Sequence, residues 1–94
     1  MEVFVTSRAE KNFDSIVNYI RQSFGENTAK QFIEKADDTF TLLKSYPLMG
    51  RIESGDIRGF QLSPQTRILY RIREQKLIIL AFFDVRQEPG KKLS

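Results

Sequence analysis

The stretch TRILYRIREQKLIILAFF, residues 66–83, decides the fold. From Thr66 to Arg73 polarity alternates with a period of two. Ile68, Tyr70 and Ile72 face one way, and Arg67, Leu69, Arg71 and Arg73 face the other. This is the pattern of a strand with one buried side. Residues 74–76 (EQK) interrupt it as a turn. Residues 77–83 (LIILAFF) are apolar throughout, which predicts a central strand buried on both faces. A run of seven between turn signals is a core strand and not a membrane span.

Working outward from this hairpin, residues 57–62 form another strand, and Ser63-Pro64-Gln65 a turn. Residues 48–56 carry two glycines and no periodicity, so a loop is expected there. Upstream the period changes to that of a helix. One stripe is Ala29, Phe32, Ile33, Ala36, Phe40 and Leu43, with Asn27 as the expected N-cap and Pro47 as the stop. A second stripe is Ala9, Phe13, Ile16, Val17, Ile20 and Phe24. Ser7-Arg8-Ala9-Glu10 reads as its capping box and Gly25 as its end. So short a link makes the two helices an antiparallel hairpin. Residues 2–6 (EVFVT) alternate as a short strand, and residues 87–94 read as a loose tail. The expected fold class is therefore α+β, in the order β-α-α-β-β-β: a helical hairpin on a mostly antiparallel sheet, in a single domain over residues 1–94.

Composition narrows the chemistry. In 94 residues there is no cysteine and no histidine. Disulfides, thiol nucleophiles, cysteine-ligated metals and the commonest general base are thus excluded, and neither metal nor cofactor is expected. No basic-then-apolar leader opens the chain and no apolar run suits a spanning helix, so a cytoplasmic protein without membrane contact is expected. The net charge of +3 is uneven: residues 1–47 hold six Lys/Arg against seven Asp/Glu, and residues 48–94 nine against five. The excess is mostly arginine, whose planar fork binds carboxylate and phosphate.

Arg67, Arg71 and Arg73 share one strand face, with Arg58 and Arg86 as candidates to extend it. Such a face is either solvated or covered by an anionic partner. Asp84 and Arg86 have the same parity, as an ion pair would. Asp37 and Asp38 fall on the exposed side of the second helix, so no pair of catalytic carboxylates emerges. Gly50 to Gly59 lacks the spacing of a phosphate loop.

Residues 43–51 (LKSYPLMGR) resemble the L-x-x-(F/Y)-P-x-x-G-R segment of the RelE/ParE toxin superfamily. Arg58-Gly59-Phe60, then RILYRI at 67–72, then FDVRQEP at 83–89 resemble its later signatures in order and spacing. The resemblance covers roughly residues 2–89. It implies the toxin of a type II toxin–antitoxin, plasmid-stabilisation-type pair, neutralised by a cognate antitoxin that wraps over helices and sheet. A homodimer and a heterotetramer with antitoxin are the assemblies it suggests.

The superfamily divides by mechanism. Its RelE branch cuts messenger RNA on the ribosome, and by position Arg67 and Arg86 match two of that branch's arginines while Arg58 stands for a lysine. These three would be the catalytic set of a ribonuclease. Phe60, however, occupies another lysine position, and no tyrosine or histidine follows Arg86. Arginine hardly deprotonates, so a proton acceptor is missing. The resemblance therefore leans to the ParE branch, which poisons DNA gyrase without known catalytic residues. Arg58, Arg67, Arg71, Arg73 and Arg86 are then expected to contact gyrase or antitoxin. The alternatives are ribosome-dependent messenger RNA cleavage and a non-toxic member that only binds antitoxin.

Overall fold

The computed structural model describes residues 1–87. Its elements are β1 (Glu2–Val5), α1 (Ser7–Phe24), α2 (Glu26–Ser45), β2 (Arg51–Ser54), β3 (Ile57–Gln61), β4 (Thr66–Arg73) and β5 (Lys76–Asp84). The strands form one sheet in the order β1-β5-β4-β3-β2. β1 runs parallel to β5, and every other neighbour is antiparallel. The helical hairpin covers one face of this sheet, giving the expected α+β architecture. The tail expected at 87–94 lies, apart from Gln87, outside the described residues.

The core forms where the two period-3.6 stripes meet the inward face of β4 and β5. Ile16, Val17 and Ile20 of α1 and Phe32, Ala36 and Leu43 of α2 are buried against Ile68, Tyr70, Leu77, Ile79 and Phe82. Removing such side chains from water contributes about 1.5–3 kcal/mol each. Phe13 ties the layers together, with its ring 5.7 Å from that of Phe32 and 5.3 Å from that of Phe82.

Several local expectations shift by a residue or more. Thr6, not Ser7, caps α1: its Oγ1 accepts the Ala9 N–H at 3.1 Å. The Thr6 N–H still belongs to the sheet, donating to the Ile79 carbonyl, so Thr6 is the last extended residue and the first one able to cap. Asn27 does not cap α2, which starts at Glu26 directly after Gly25. Gly25 has φ +95°, a conformation cheap only for glycine. Its N–H closes α1 onto the Arg21 carbonyl, and its carbonyl opens α2 by accepting from Ala29. Phe24 and Ile33 fall outside the core, exposed by 52% and 40%.

The expected loop at 48–56 contains a strand, β2, which is exposed at every position. An edge strand with neither face buried carries no alternation to read. In the β4–β5 turn Glu74 and Gln75 both take positive φ, and Lys76 already pairs with Arg73. That is the geometry of a two-residue hairpin loop. Finally, LIILAFF buries its helix-side residues fully and its other face only in part, where Ala81, opposite Leu69, is buried. Leu77, Ile79 and Phe82 enter the core, whereas Ile78 is half-buried and Phe83 is 37% exposed on the face that no helix covers.

Candidate functional site

β4 sends Ile68 and Tyr70 into the core, so alternation turns Arg67, Leu69, Arg71 and Arg73 onto the open face of the sheet. Register extends that face sideways. Ile78 and Phe83 of β5 stand opposite Arg71 and Arg67, and Phe4 of β1 stands opposite Ile78. The result is an apolar strip beside a row of guanidiniums. Arg8 closes one end of the strip, its guanidinium 5.9 Å from the centre of the Phe83 ring.

The β2–β3 hairpin brings two carboxylates to these arginines. Asp56 follows Gly55 in the turn, where φ +56° suits glycine. Its Oδ1 accepts from Arg71 Nε and Nη2 at 3.2 and 2.9 Å, and its Oδ2 accepts from Arg73 Nε at 3.2 Å. Desolvation pushes the Asp56 carboxyl up, but the bonds and charges of Arg71 and Arg73 outweigh it and hold the group below its usual range. Glu53 pairs with Arg67 across Gly59, where any Cβ would run into the Glu53 carboxylate. Arg67 is flanked by two recesses. One, of about 350 Å³, is lined by Arg51, Glu53, Gly59, Phe60 and Gln61. The other, of about 290 Å³, is lined by Gln61, Gln65, Phe83 and Val85. Arg67 Nε is buried and has no partner among the described residues.

Arg58 does not extend this face. It is in register with Tyr70 and therefore lies on the helix side of the sheet. There Nη1 donates to the carbonyls of Leu48 and Gly50 at 3.1 and 2.8 Å. The Tyr70 hydroxyl grips the same loop, donating to the Pro47 carbonyl at 2.7 Å and accepting the Gly50 N–H at 2.9 Å. Burial raises the Tyr70 phenol above its usual value, despite the Gly50 N–H and the Arg58 charge acting the other way. The YPLMGR segment is thus a clasped loop.

Arg86 occupies a third place. Its Nε and Nη2 donate to the two oxygens of Asp84 at 3.0 and 2.7 Å, forming the ion pair that their parity predicts. Asp84 is buried and also accepts from Thr66 Oγ1 at 2.5 Å and from the Arg86 N–H at 2.9 Å. Burial pushes this carboxyl up, yet the Arg86 and Thr66 hydrogen bonds prevail and hold it below the usual range. The guanidinium stacks 5.8 Å from the Phe24 ring and lines a recess of about 190 Å³ with Thr28, Gln31 and Lys35.

The open face therefore holds Arg67, Arg71 and Arg73 as expected, but neither candidate extends it: the clasped loop holds Arg58, and the end of the helical hairpin holds Arg86. The set that a ribonuclease would need, Arg58, Arg67 and Arg86, is not brought together. Sequence reasoning missed Glu53 and Asp56, the carboxylates of the open face, although Gly55-Asp56 carries a turn signal. Asp37 and Asp38 are exposed on α2, as expected. Among the described residues no cluster of acidic side chains could hold a metal, and no helix is long and apolar enough to cross a membrane.

Comparison with known proteins agrees with this architecture. No curated protein matches the chain in sequence. The chromosomal ParDE toxin–antitoxin system of P. aeruginosa has a similar structure, with TM-score 0.77 and 18% identity over 89% of this chain and 95% of that one. A YoeB/ParE toxin from Agrobacterium tumefaciens gives 0.68 and 15%, over 89% and 98%. The YoeB dimer of Staphylococcus aureus gives 0.63 and 10%, over 88% and 94%. At such identities these likenesses speak for the fold. The family itself comes from sequence, because residues 3–89 match the model described as ParE toxin of the type II toxin–antitoxin system parDE. The chain belongs to that ParE toxin family, within the RelE/ParE superfamily of type II toxin–antitoxin toxins.

Proposed function

We propose that this toxin arrests growth by trapping DNA gyrase on cleaved DNA, and that a cognate antitoxin neutralises it. The observation that carries the choice of target is the separation of Arg58, Arg67 and Arg86. In-line attack by a ribose 2′-hydroxyl needs positive charge gathered around one phosphate and a proton acceptor beside it. Here Arg58 is spent on backbone carbonyls and Arg86 on a buried carboxylate, on different sides of the sheet from Arg67. The chain has no histidine, and the Tyr70 phenol is committed inside the core. What remains is a surface suited to binding.

In this reading Arg67, Arg71 and Arg73 contact gyrase or antitoxin, Arg86 offers a separate contact, and Arg58 acts through the loop it holds. The partnership with an antitoxin is supported by the ParDE system of P. aeruginosa and by the heterotetrameric YoeB–YefM complex of S. aureus. Expression without antitoxin in cells carrying an SOS reporter tests the target. The expected result is growth arrest with a strong SOS signal. Arrest with a silent reporter and cleaved messages would replace gyrase with the ribosome, and unimpeded growth at normal protein level would leave only antitoxin binding.

A further inference from the structure

We propose that the open sheet face docks an acidic, extended segment of a partner protein, and that Glu53 and Asp56 occupy the partner's carboxylate positions in the free chain. The inference rests on the reading above only in taking the partner to be a protein. Arg71 and Arg73 are one two-residue repeat apart on the open face of β4, about 7 Å, and Arg67 lies two repeats before Arg71 with Leu69 between them. An extended peptide laid along β4 repeats its same-face side chains at that same interval. The bonds of Asp56 to Arg71 and Arg73, at 2.9 to 3.2 Å, show that a single carboxylate fits between two of these guanidiniums. Glu53 pairs with the single guanidinium of Arg67.

Both internal carboxylates belong to the least anchored part of the sheet. β2 is a four-residue edge strand, exposed throughout, and its register on β3 slips at Glu53. Exposed ion pairs of this kind hold weakly and yield to a competing acid. Arg67 Nε, buried and without a partner among the described residues, is a further donor for an incoming oxygen. The apolar strip chooses the class of ligand. Phe4, 57% exposed, and Phe83, 37% exposed, lie beside the arginines together with Ile78 and Leu69. A peptide alternating acidic and apolar residues covers both, whereas a phosphate backbone satisfies the arginines and leaves the strip open to water.

The test uses the purified chain, so it needs neither gyrase nor ribosome and stands or falls apart from the choice of target. Fluorescence anisotropy reads the binding of a labelled synthetic peptide of alternating glutamate and valine, and of a single-stranded oligonucleotide of equal charge. In Glu53→Gln/Asp56→Asn the peptide should bind about five- to tenfold more tightly than in the parent, as expected for removing two competing surface pairs. Glu34→Gln/Asp37→Asn makes the same change in net charge on the exposed side of α2, and should gain less than about twofold. Adding Arg71→Gln to the first variant should abolish the gain. If the double variant folds poorly, Asp56→Asn alone should give about threefold. Equal gains in the two charge-matched variants, or no gain in either, would overturn the proposal. A larger gain for the oligonucleotide than for the peptide would reassign the face to nucleic acid.

Discussion

Asp84→Ala is expected to destabilise the fold by about 3 kcal/mol at neutral pH, because it leaves the partners of a buried charge unpaired. Asp84 is 1% exposed and accepts four hydrogen bonds, three from Arg86 and one from Thr66. Removing it strands the Thr66 hydroxyl and part of a guanidinium whose side chain is only 25% exposed. The value is set at the low end of what breaking a buried pair costs, because Arg86 can turn toward water. Urea unfolding at neutral pH reads the effect as a lower midpoint with an unchanged slope.

The same carboxylate carries a pH signature. Its folded-state pKa lies below the ordinary 3.8, so its contribution is complete well above pH 3.8. The contribution fades as pH falls below that value toward the folded-state pKa. The stability gap between the parent and Asp84→Asn should therefore narrow in acid, and an equal gap at neutral and acid pH would mean that the charge of Asp84 stabilises nothing.

The second large effect is expected at Gly50. A Cβ there would lie 2.5 Å from the Tyr70 hydroxyl oxygen and 2.7 Å from its ring, and Tyr70 is fully buried. Gly50→Ala should cost about 2–3 kcal/mol, as overpacking in a well-filled site does. Tyr70→Phe should cost about 2 kcal/mol through a different route, since the Gly50 N–H and the Pro47 carbonyl lose their shared partner. Removing the hydroxyl also removes the nearest clashing atom, so the double variant should lose less than the two single losses combined, by about 0.5–1 kcal/mol. Strict additivity in denaturant unfolding would mean that the loop and Tyr70 are not in contact.

These two residues show what was legible beforehand. The apolar stripes of 9–24 and 29–43, the alternation of 66–73 and the apolar run of 77–83 fix the layers, since burial imposes them over many residues at once. The Asp84–Arg86 pair was legible from parity alone. β2 was not, because it buries nothing and exists only by pairing with β3. The cap of α1 was misplaced by one residue because Thr6 and Ser7 are both competent, and the strand decides between them by holding the Thr6 N–H. Arg58, a candidate to extend the open face, lies on the other side for a similar reason. Its facing depends on the register of β3 against β4, which pairs it with Tyr70, and register is a long-range property. The open face was half legible: the arginines announce themselves by period, but Glu53 and Asp56 arrive from a hairpin marked only by its Gly55-Asp56 turn, with no apolar alternation on β2 to show where it folds back.

The central claim is that this ParE-family toxin works by binding and not by cutting RNA. The most direct measurement adds the purified protein to gyrase, ATP and relaxed plasmid, and in parallel to translating ribosomes with a defined message. Loss of supercoiling with accumulation of cleaved plasmid, beside an intact message, is the result expected. Message cleavage on the ribosome with supercoiling unaffected would contradict it, and would mean that Arg58, Arg67 and Arg86 act together despite the separation seen here.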